Sequence, residues 1–284
     1  MKIAVITGAS SGMGLEFAKA IDAEETLDEI WLIARRRERL EDLAKELRTP
    51  ARILPMGLGT QQIEDALHQM LPEDVAIIRM DADSTRGKDA HKKLLEQEKP
   101  LVSTLCNVAG FGRFALFTET PLEVNLNMID INDKALVAMT QLTLPYMKRG
   151  SRVINLDSLS AFQPVPYQCI YGSTKAFVLS FSRALNVELE PRGIRVMAVS
   201  PGWVKTEFFE HAVSDNGAVN YYDILWEPAD VVKQALKDYK KGKDLSILGH
   251  RVRRQVLLVK LLPHRLIMKI WMKQQGHAHR PPED

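Results

Sequence analysis

A tyrosine and a lysine stand four residues apart in YGSTK, residues 171–175, at the head of an apolar-striped segment. On a helix, positions i and i+4 share a face, so Tyr171 and Lys175 can point into one site. A free phenol ionises near pH 10 and is a poor proton shuttle at neutrality. A neighbouring ammonium favours the phenolate. Lowering the phenol by about 3 units takes roughly 4 kcal/mol, within reach of two nearby cations in a partly dry crevice. An isolated Tyr-x-x-x-Lys arises easily by chance, so a third group is needed. Ser158 ends the strand-like VINLDS, thirteen residues before Tyr171. From there its hydroxyl can bond a substrate oxygen whose charge changes during reaction. Ser160 is the alternative, and Asp157 reads as a cap or turn residue.

The elements that must carry these residues are short apolar runs alternating with segments of helical period. Strands are expected at 2–7, 29–34, 101–110, 152–158 and 195–202, and helices at 14–21, 37–48, 126–150 and 171–190. That alternation implies right-handed βαβ units, a doubly wound parallel sheet and a three-layer αβα sandwich. Ligands of such sheets bind at the carboxyl ends of the strands. The third strand is ambiguous. RILPM near 51–56 is one candidate. VAIIRMD at 75–81 is preferred, because Asp81 and Ala82 would then lie where an adenine edge is read, with 56–74 an inserted helix.

TGASSGMG, residues 7–14, follows the first strand and opens the first helix. Gly8, Gly12 and Gly14 permit a tight turn and close backbone approach to a pyrophosphate, flanked by Ser10, Ser11 and Met13. The helix N-terminus supplies free N–H groups and a partial positive charge. A ribose reader belongs about 20 residues further on. Ala34 stands there instead of an acid, followed by Arg35 and Arg36. Guanidinium groups favour a 2′-phosphate that an acid would repel. The expected cofactor is therefore NADP(H).

With these motifs in place, the chain resembles the classical short-chain dehydrogenase/reductase family, NADP-preferring type, over roughly residues 1–240. TGASSGMG is similar to the family's TGxxxGxG, and NVAG (107–110) to its NNAG, with Val108 in place of the second Asn. The resemblance implies a Rossmann-type fold. It implies cofactor contacts from Asn107, Ala109, Gly110, Tyr171 and Lys175, and from Pro201, Gly202, Val204 and Thr206 in PGWVKT. It implies Asn132, Ser158, Tyr171 and Lys175 as the catalytic set. The implied reaction interconverts a carbonyl and a secondary alcohol, with hydride from NADPH and the proton from Tyr171. Ser158 polarises the oxygen, Lys175 bonds the ribose and tunes Tyr171, and a water on the Asn132 backbone links Lys175 to solvent. Hydroxysteroid dehydrogenase and 3-oxoacyl reductase are alternatives within this class. A non-catalytic NADP sensor or scaffold is the alternative outside it.

Aromatic residues crowd the segment after PGWVKT. Phe208 and Phe209, with Trp203, Phe111, Phe162 and Tyr167 near other strand ends, are expected to line an apolar substrate pocket. Cys169 is read as a small buried packing thiol.

Residues 1–244 read as one catalytic domain and 245–284 as a helical extension. From 245 to 284 there are eight Lys/Arg and two acids, both at the very end. Pro263 divides this stretch into two helices. The preferred reading packs it over the substrate pocket, and the alternative rests it weakly on anionic membrane. His277 and His279 lack a supporting ligand set, so no metal is expected.

The whole chain of 284 residues carries net +2, which gives no general polyanion binder, and no nucleic-acid partner is expected. No apolar run approaches the roughly 18 residues of a membrane span, and the N-terminus lacks signal-peptide features. The expected protein is cytoplasmic, with reduced Cys106 and Cys169. By family resemblance it is a homodimer or homotetramer.

Overall fold

The computed structural model describes residues 1–55, 57–58, 100–212, 218–222 and 224–277, with backbone alone at 209–211. Seven parallel strands form the central sheet, in the order β3-β2-β1-β4-β5-β6-β9. They are β1 (Lys2–Thr7), β2 (Glu29–Ala34), β3 (Ala51–Pro55), β4 (Leu101–Asn107), β5 (Arg152–Leu156), β6 (Arg195–Val199) and β9 (Leu245–Ser246). The order runs outward in both directions from β1 and β4, so the loops leaving these two strands open a crevice between them. Two further short strands, β7 (Trp203–Val204) and β8 (Leu225–Trp226), pair parallel in a separate ribbon.

The strand beside β2 is Ala51–Pro55, not 75–81. The preferred assignment therefore gives way to its alternative. The reason is position: β3 closes the sheet edge, and Leu54 is its one buried residue. An edge strand lacks the continuous apolar run of the interior strands. The segment 75–81, the expected helix at 56–74, and Asp81 and Ala82 lie outside the described residues.

Side chains alternate across the sheet with the period of two. From β1, Ala4 and Ile6 join the core formed with α1 (Gly12–Glu24), α2 (Arg37–Glu46) and α7 (Pro228–Lys240). Ile3 and Val5 face the opposite layer, where they meet Ala135 and Met139 of α4 (Ala135–Thr143) and Leu189 of α5 (Cys169–Leu189). Phe17 is fully buried in the first layer. Truncating such a residue to alanine typically costs about 3–5 kcal/mol.

Helix α3 (Leu122–Ile129) runs into α4 through a π-helical turn, Asp130–Lys134. After the short α6 (Glu207–Ala212) and α7, the chain ends in α8 (His250–Leu261) and α9 (His264–Gln274), separated by Leu262 and Pro263. The ring of Pro263 cannot continue α8 and instead stands at the N-cap of α9.

Candidate active site

The loop between β1 and α1 turns through Gly8, whose φ is +70°. A Cβ on Gly8 would come within 2.8 Å of Ala109 N, and one on Gly14 within 2.1 Å of Gly8 O. Both positions therefore exclude side chains. Ser11 caps α1 without a side-chain bond to the helix, and the first turn holds no acid. Its orphan amides remain available to an anion.

The hydroxyls of Ser10 and Ser11 instead accept from Arg36. Its Nη2 donates to Ser11 Oγ at 2.8 Å and to Ser10 Oγ at 3.2 Å. Arg36 Nη1 also pairs with Glu207 Oε2 at 2.5 Å, and Arg39 reaches the other oxygen of the same carboxylate. These two arginines hold the Glu207 carboxyl below the usual carboxylate range. Arg39 and Glu207 were not anticipated from sequence, because they meet across 168 residues of chain.

A helix N-terminus without acids, a glycine turn that admits close approach and a guanidinium at the end of β2 together fit a nicotinamide dinucleotide. Gly8, Ser10, Ser11, Gly12, Met13, Gly14, Arg35 and Arg36 all line one cavity of about 940 Å³. Ala109, Gly110, Pro201, Gly202, Val204 and Thr206 line the same cavity. Asn107 does not reach it. Its Nδ2 donates to Asn155 Oδ1 at 2.9 Å and Thr140 Oγ1 at 3.0 Å, tying β4 to β5 and α4. The backbone at Val108 stays paired, while Asn107 Oδ1 is buried without a hydrogen-bond partner among the described residues. The Val108 N–H and that of Ala109 donate to Thr7 Oγ1 at 3.0 and 3.1 Å. The Val108 side chain packs in the core.

Ser158, Tyr171 and Lys175 converge on the same cavity. Ser158 caps a 3₁₀ turn at the end of β5, where its hydroxyl accepts from Ser160 N at 3.2 Å. It also donates to Ser160 Oγ at 3.2 Å, and Ser160 Oγ donates onward to Gln168 Oε1 at 3.1 Å. Ser160 and Ser158 are thus successive members of one chain. Gln168, buried behind them, was not foreseen.

Tyr171 and Lys175 occupy the first two turns of α5. Lys175 Nζ lies 5.7 Å from the centre of the Tyr171 ring and donates to Leu156 O at 2.9 Å. The expectation that Lys175 draws the phenol down is not met here. Burial pushes Tyr171 well above the ordinary phenol range, the Ser158 hydroxyl opposes this, and the negative charge of Asp157 adds to the rise. Burial lowers Lys175, against the pull of Asp157 and Asp133. Asp157 is more than a turn residue. It is 1% exposed, accepts from Ser200 Oγ at 2.5 Å, and burial lifts it to about 7.

Asn132 lies in the π-helical turn, where the backbone departs from the regular ladder. Its side chain accepts from Phe111 N and donates to Phe111 O, both at 3.0 Å, and donates to Thr174 Oγ1 at 3.1 Å. It therefore joins the β4 loop to α5 from behind the cavity.

The remaining wall is apolar. Phe114 packs edge-on to Tyr171, Trp203 and Phe208, with ring centres 5.4, 6.1 and 6.4 Å apart. Phe111, Phe162, Trp203 and Phe208 line the cavity as expected from sequence. Tyr167 does not. Its φ is +66°, and its ring stacks on His277 at 4.2 Å. The Phe209 side chain lies outside the description. Cys169 is exposed at the start of α5 rather than buried, because the same turn gives its inner face to Tyr171 and Gly172, and neither cysteine is bridged. The α8–α9 pair supplies a wall the sequence assigned only in outline, including Val256, Ile267 and Trp271.

A family model described as short chain dehydrogenase matches residues 52–217. An uncharacterized oxidoreductase of Staphylococcus epidermidis is 31% identical over 212 residues, covering 74% of this chain and 80% of that protein. Sulfoacetaldehyde reductase 2 of Chromohalobacter salexigens is 34% identical over 214 residues, covering 72% and 74%. A short-chain dehydrogenase from Sphingobium yanoikuyae, solved in complex with NADPH, superposes over the whole of both chains with a TM-score of 0.67 at 25% identity. The chain belongs to the short-chain dehydrogenase/reductase family. It is an oxidoreductase of Rossmann-type fold that works with a nicotinamide cofactor.

Proposed function

We propose that this protein is an NADP(H)-dependent reductase of apolar ketones or aldehydes, acting through Tyr171 as proton donor. One observation carries the reading. Ser158, Tyr171 and Lys175 line one cavity whose far wall is aromatic and aliphatic and whose near end is the glycine loop.

A reduced nicotinamide, when bound, supplies a hydride to the carbonyl carbon. The chain's own residues manage the oxygen. Ser158 Oγ donates a hydrogen bond to it, and Tyr171 Oη gives up its proton as the C–O bond becomes an alcohol. Burial favours the neutral phenol, which is the form a reduction requires. The Lys175 ammonium, 5.7 Å from the ring centre, faces the phenolate left behind, although burial outweighs it in the free site. Oxidation of the alcohol uses the same groups in reverse. Asn132 positions Phe111 and Thr174 and so fixes the floor of the site.

NADP(H) is favoured over NAD(H) by Arg36 at the end of β2, with Arg35 beside it. A 2′-phosphate would meet planar charge-assisted donors there. The NADPH-bound relative supports this choice, and the sulfoacetaldehyde reductase supports action on a carbonyl. The apolar lining points to a larger, less polar substrate than that relative's name describes.

Absorbance of the reduced nicotinamide tests the reading, followed with NADPH and NADH across a panel of aliphatic, aryl and ring ketones. NADPH oxidation that depends on an apolar ketone, and falls by about two to four orders of magnitude in Tyr171→Phe, is expected. A folded Tyr171→Phe variant with unchanged turnover would overturn it.

A further inference from the structure

We propose that α8 and α9 form the face by which the protein rests on an anionic membrane surface, with the substrate cavity opening at that face. The two helices are held to the body of the protein on one side only. Val256 and Ile267 are buried there, and Trp271 Nε1 donates to Pro166 O at 3.2 Å. The opposite side of α8 carries Arg254, Leu257, Leu258 and Leu261, whose spacing of three and four places them on one stripe. Leu257 is 62% exposed and Leu261 82%. On α9, Leu266 and Ile270 are exposed on the face they share with Lys269 and Lys273.

Bulky aliphatic residues so far out of the core, on helices already docked, mark an interaction surface rather than a packing remnant. Charge selects the occupant. Neither helix contains an acid, and together they carry seven Lys/Arg. The first 244 residues carry thirty Lys/Arg against thirty-four Asp/Glu. Arg253 and Lys260 turn to Ile247 O and the Phe162 ring, and Arg251, Arg254, Arg265, Lys269 and Lys273 are exposed on the helices that carry the apolar stripe, the pattern of a helix lying in the plane of an anionic lipid interface. A second copy fits less well, because a two-fold contact would bring like charges together. Among the described residues no helix is long and apolar enough to cross a membrane, so the contact is superficial.

The location adds a use. Leu258 and Ile270 line the cavity and are also exposed, so they stand at its rim. An apolar carbonyl compound dissolved in lipid would enter without crossing water.

Sedimentation with vesicles tests the proposal and needs no turnover, so it stands or falls apart from the reaction assigned above. The full chain is mixed with phosphatidylcholine vesicles and with vesicles containing about one third phosphatidylserine, at low salt and at 1 M salt, where screening shortens to about 3 Å. The expected result is at least tenfold stronger partition onto the anionic vesicles, lost at 1 M salt. Leu257→Glu with Leu261→Glu should reduce that partition tenfold, while NADPH affinity and circular dichroism stay unchanged. Equal partition onto both vesicle types, or none, would overturn the proposal. So would a double variant that binds vesicles as before but passes from a larger assembly to a monomer in sedimentation velocity. That outcome would assign the face to a second copy of the chain.

Discussion

The side-chain amide of Gln275 pairs with the backbone of Tyr221 as a neighbouring strand would. Tyr221 N donates to Gln275 Oε1 at 2.9 Å, and Gln275 Nε2 donates to Tyr221 O at 3.0 Å. Asn220 N donates to the same Oε1 at 2.8 Å, and Asn220 Nδ2 donates to Gln275 O at 2.9 Å. Gln275 is 1% exposed, so these groups have exchanged water for one another. Gln275→Ala leaves two backbone donors and one acceptor unpaired, at about 1–3 kcal/mol for each group that stays buried. It should lower the melting temperature by several degrees and raise KM for an apolar ketone, since Tyr221 and Trp271 both line the cavity. Thermal unfolding and steady-state kinetics together check this. Wild-type values in both would show that the clamp is dispensable.

Arg36 is predicted to discriminate between cofactors. Arg36→Ala should weaken NADPH at least tenfold more than NADH, measured by quenching of protein fluorescence. Glu207→Gln should act in the other direction, because it releases the Arg36 and Arg39 guanidinium groups from a competing carboxylate. A matched loss for both cofactors in Arg36→Ala would mean that this residue only ties the glycine loop to α6.

Burial raises the proton affinity of Tyr171, and Asp157 adds to the rise by repelling the phenolate. Asp157→Asn keeps the shape and still accepts from Ser200. It should therefore bring the alkaline limb of kcat/KM for ketone reduction to lower pH, where Tyr171 loses its proton more easily. An unmoved limb would confine Asp157 to a packing role.

Asp133 gives a stability prediction with a definite sign. Its carboxyl is half-buried, and burial lifts it from 3.8 to about 7 against the pull of Lys175. Between those values the folded protein keeps a proton that the unfolded chain has lost. The stabilising effect is complete below about pH 4 and drains away as pH rises to about 7. Asp133→Asn removes this dependence. The variant's melting temperature relative to wild type should climb from pH 4 to pH 7 and then level off. A gap constant across that range would contradict it.

Most of the sheet could be read from the chain alone, and the reason is burial. Strands β1 and β2 are covered on both faces and so appear as uninterrupted apolar runs, Ile3–Ile6 and Ile30–Ile33. Strand β3 sits at the edge and shows no such run, so the stretch 75–81, which ends in an acid where an adenine edge would be read, was preferred to it. Strand β9 spans two residues, too few for any periodicity. Tyr171, Lys175 and Ser158 were visible because helical spacing and a strand end bring them together locally. Glu207, Gln168 and Gln275 were not. Each acts through a partner set by tertiary packing, and a glutamine or glutamate carries no spacing that announces such a partner. Tyr167 misled for a related reason, since its ring is taken up by a stack on His277, a partner far along the chain.

The ribbon of β7 and β8 has an evolutionary consequence. Trp203 pairs with Leu225 and Val204 with Trp226, and Lys205 N donates to Trp226 O at 2.9 Å. The segment 205–224 therefore departs and returns at one narrow neck beside the sheet. Insertions, deletions or transplanted segments beyond that neck need not disturb the register of the strands that hold Ser158 and Lys175. Descendants of this chain can explore new substrates within this segment so long as its first residues, Glu207 on Arg36 and Phe208 on Tyr171, keep their places.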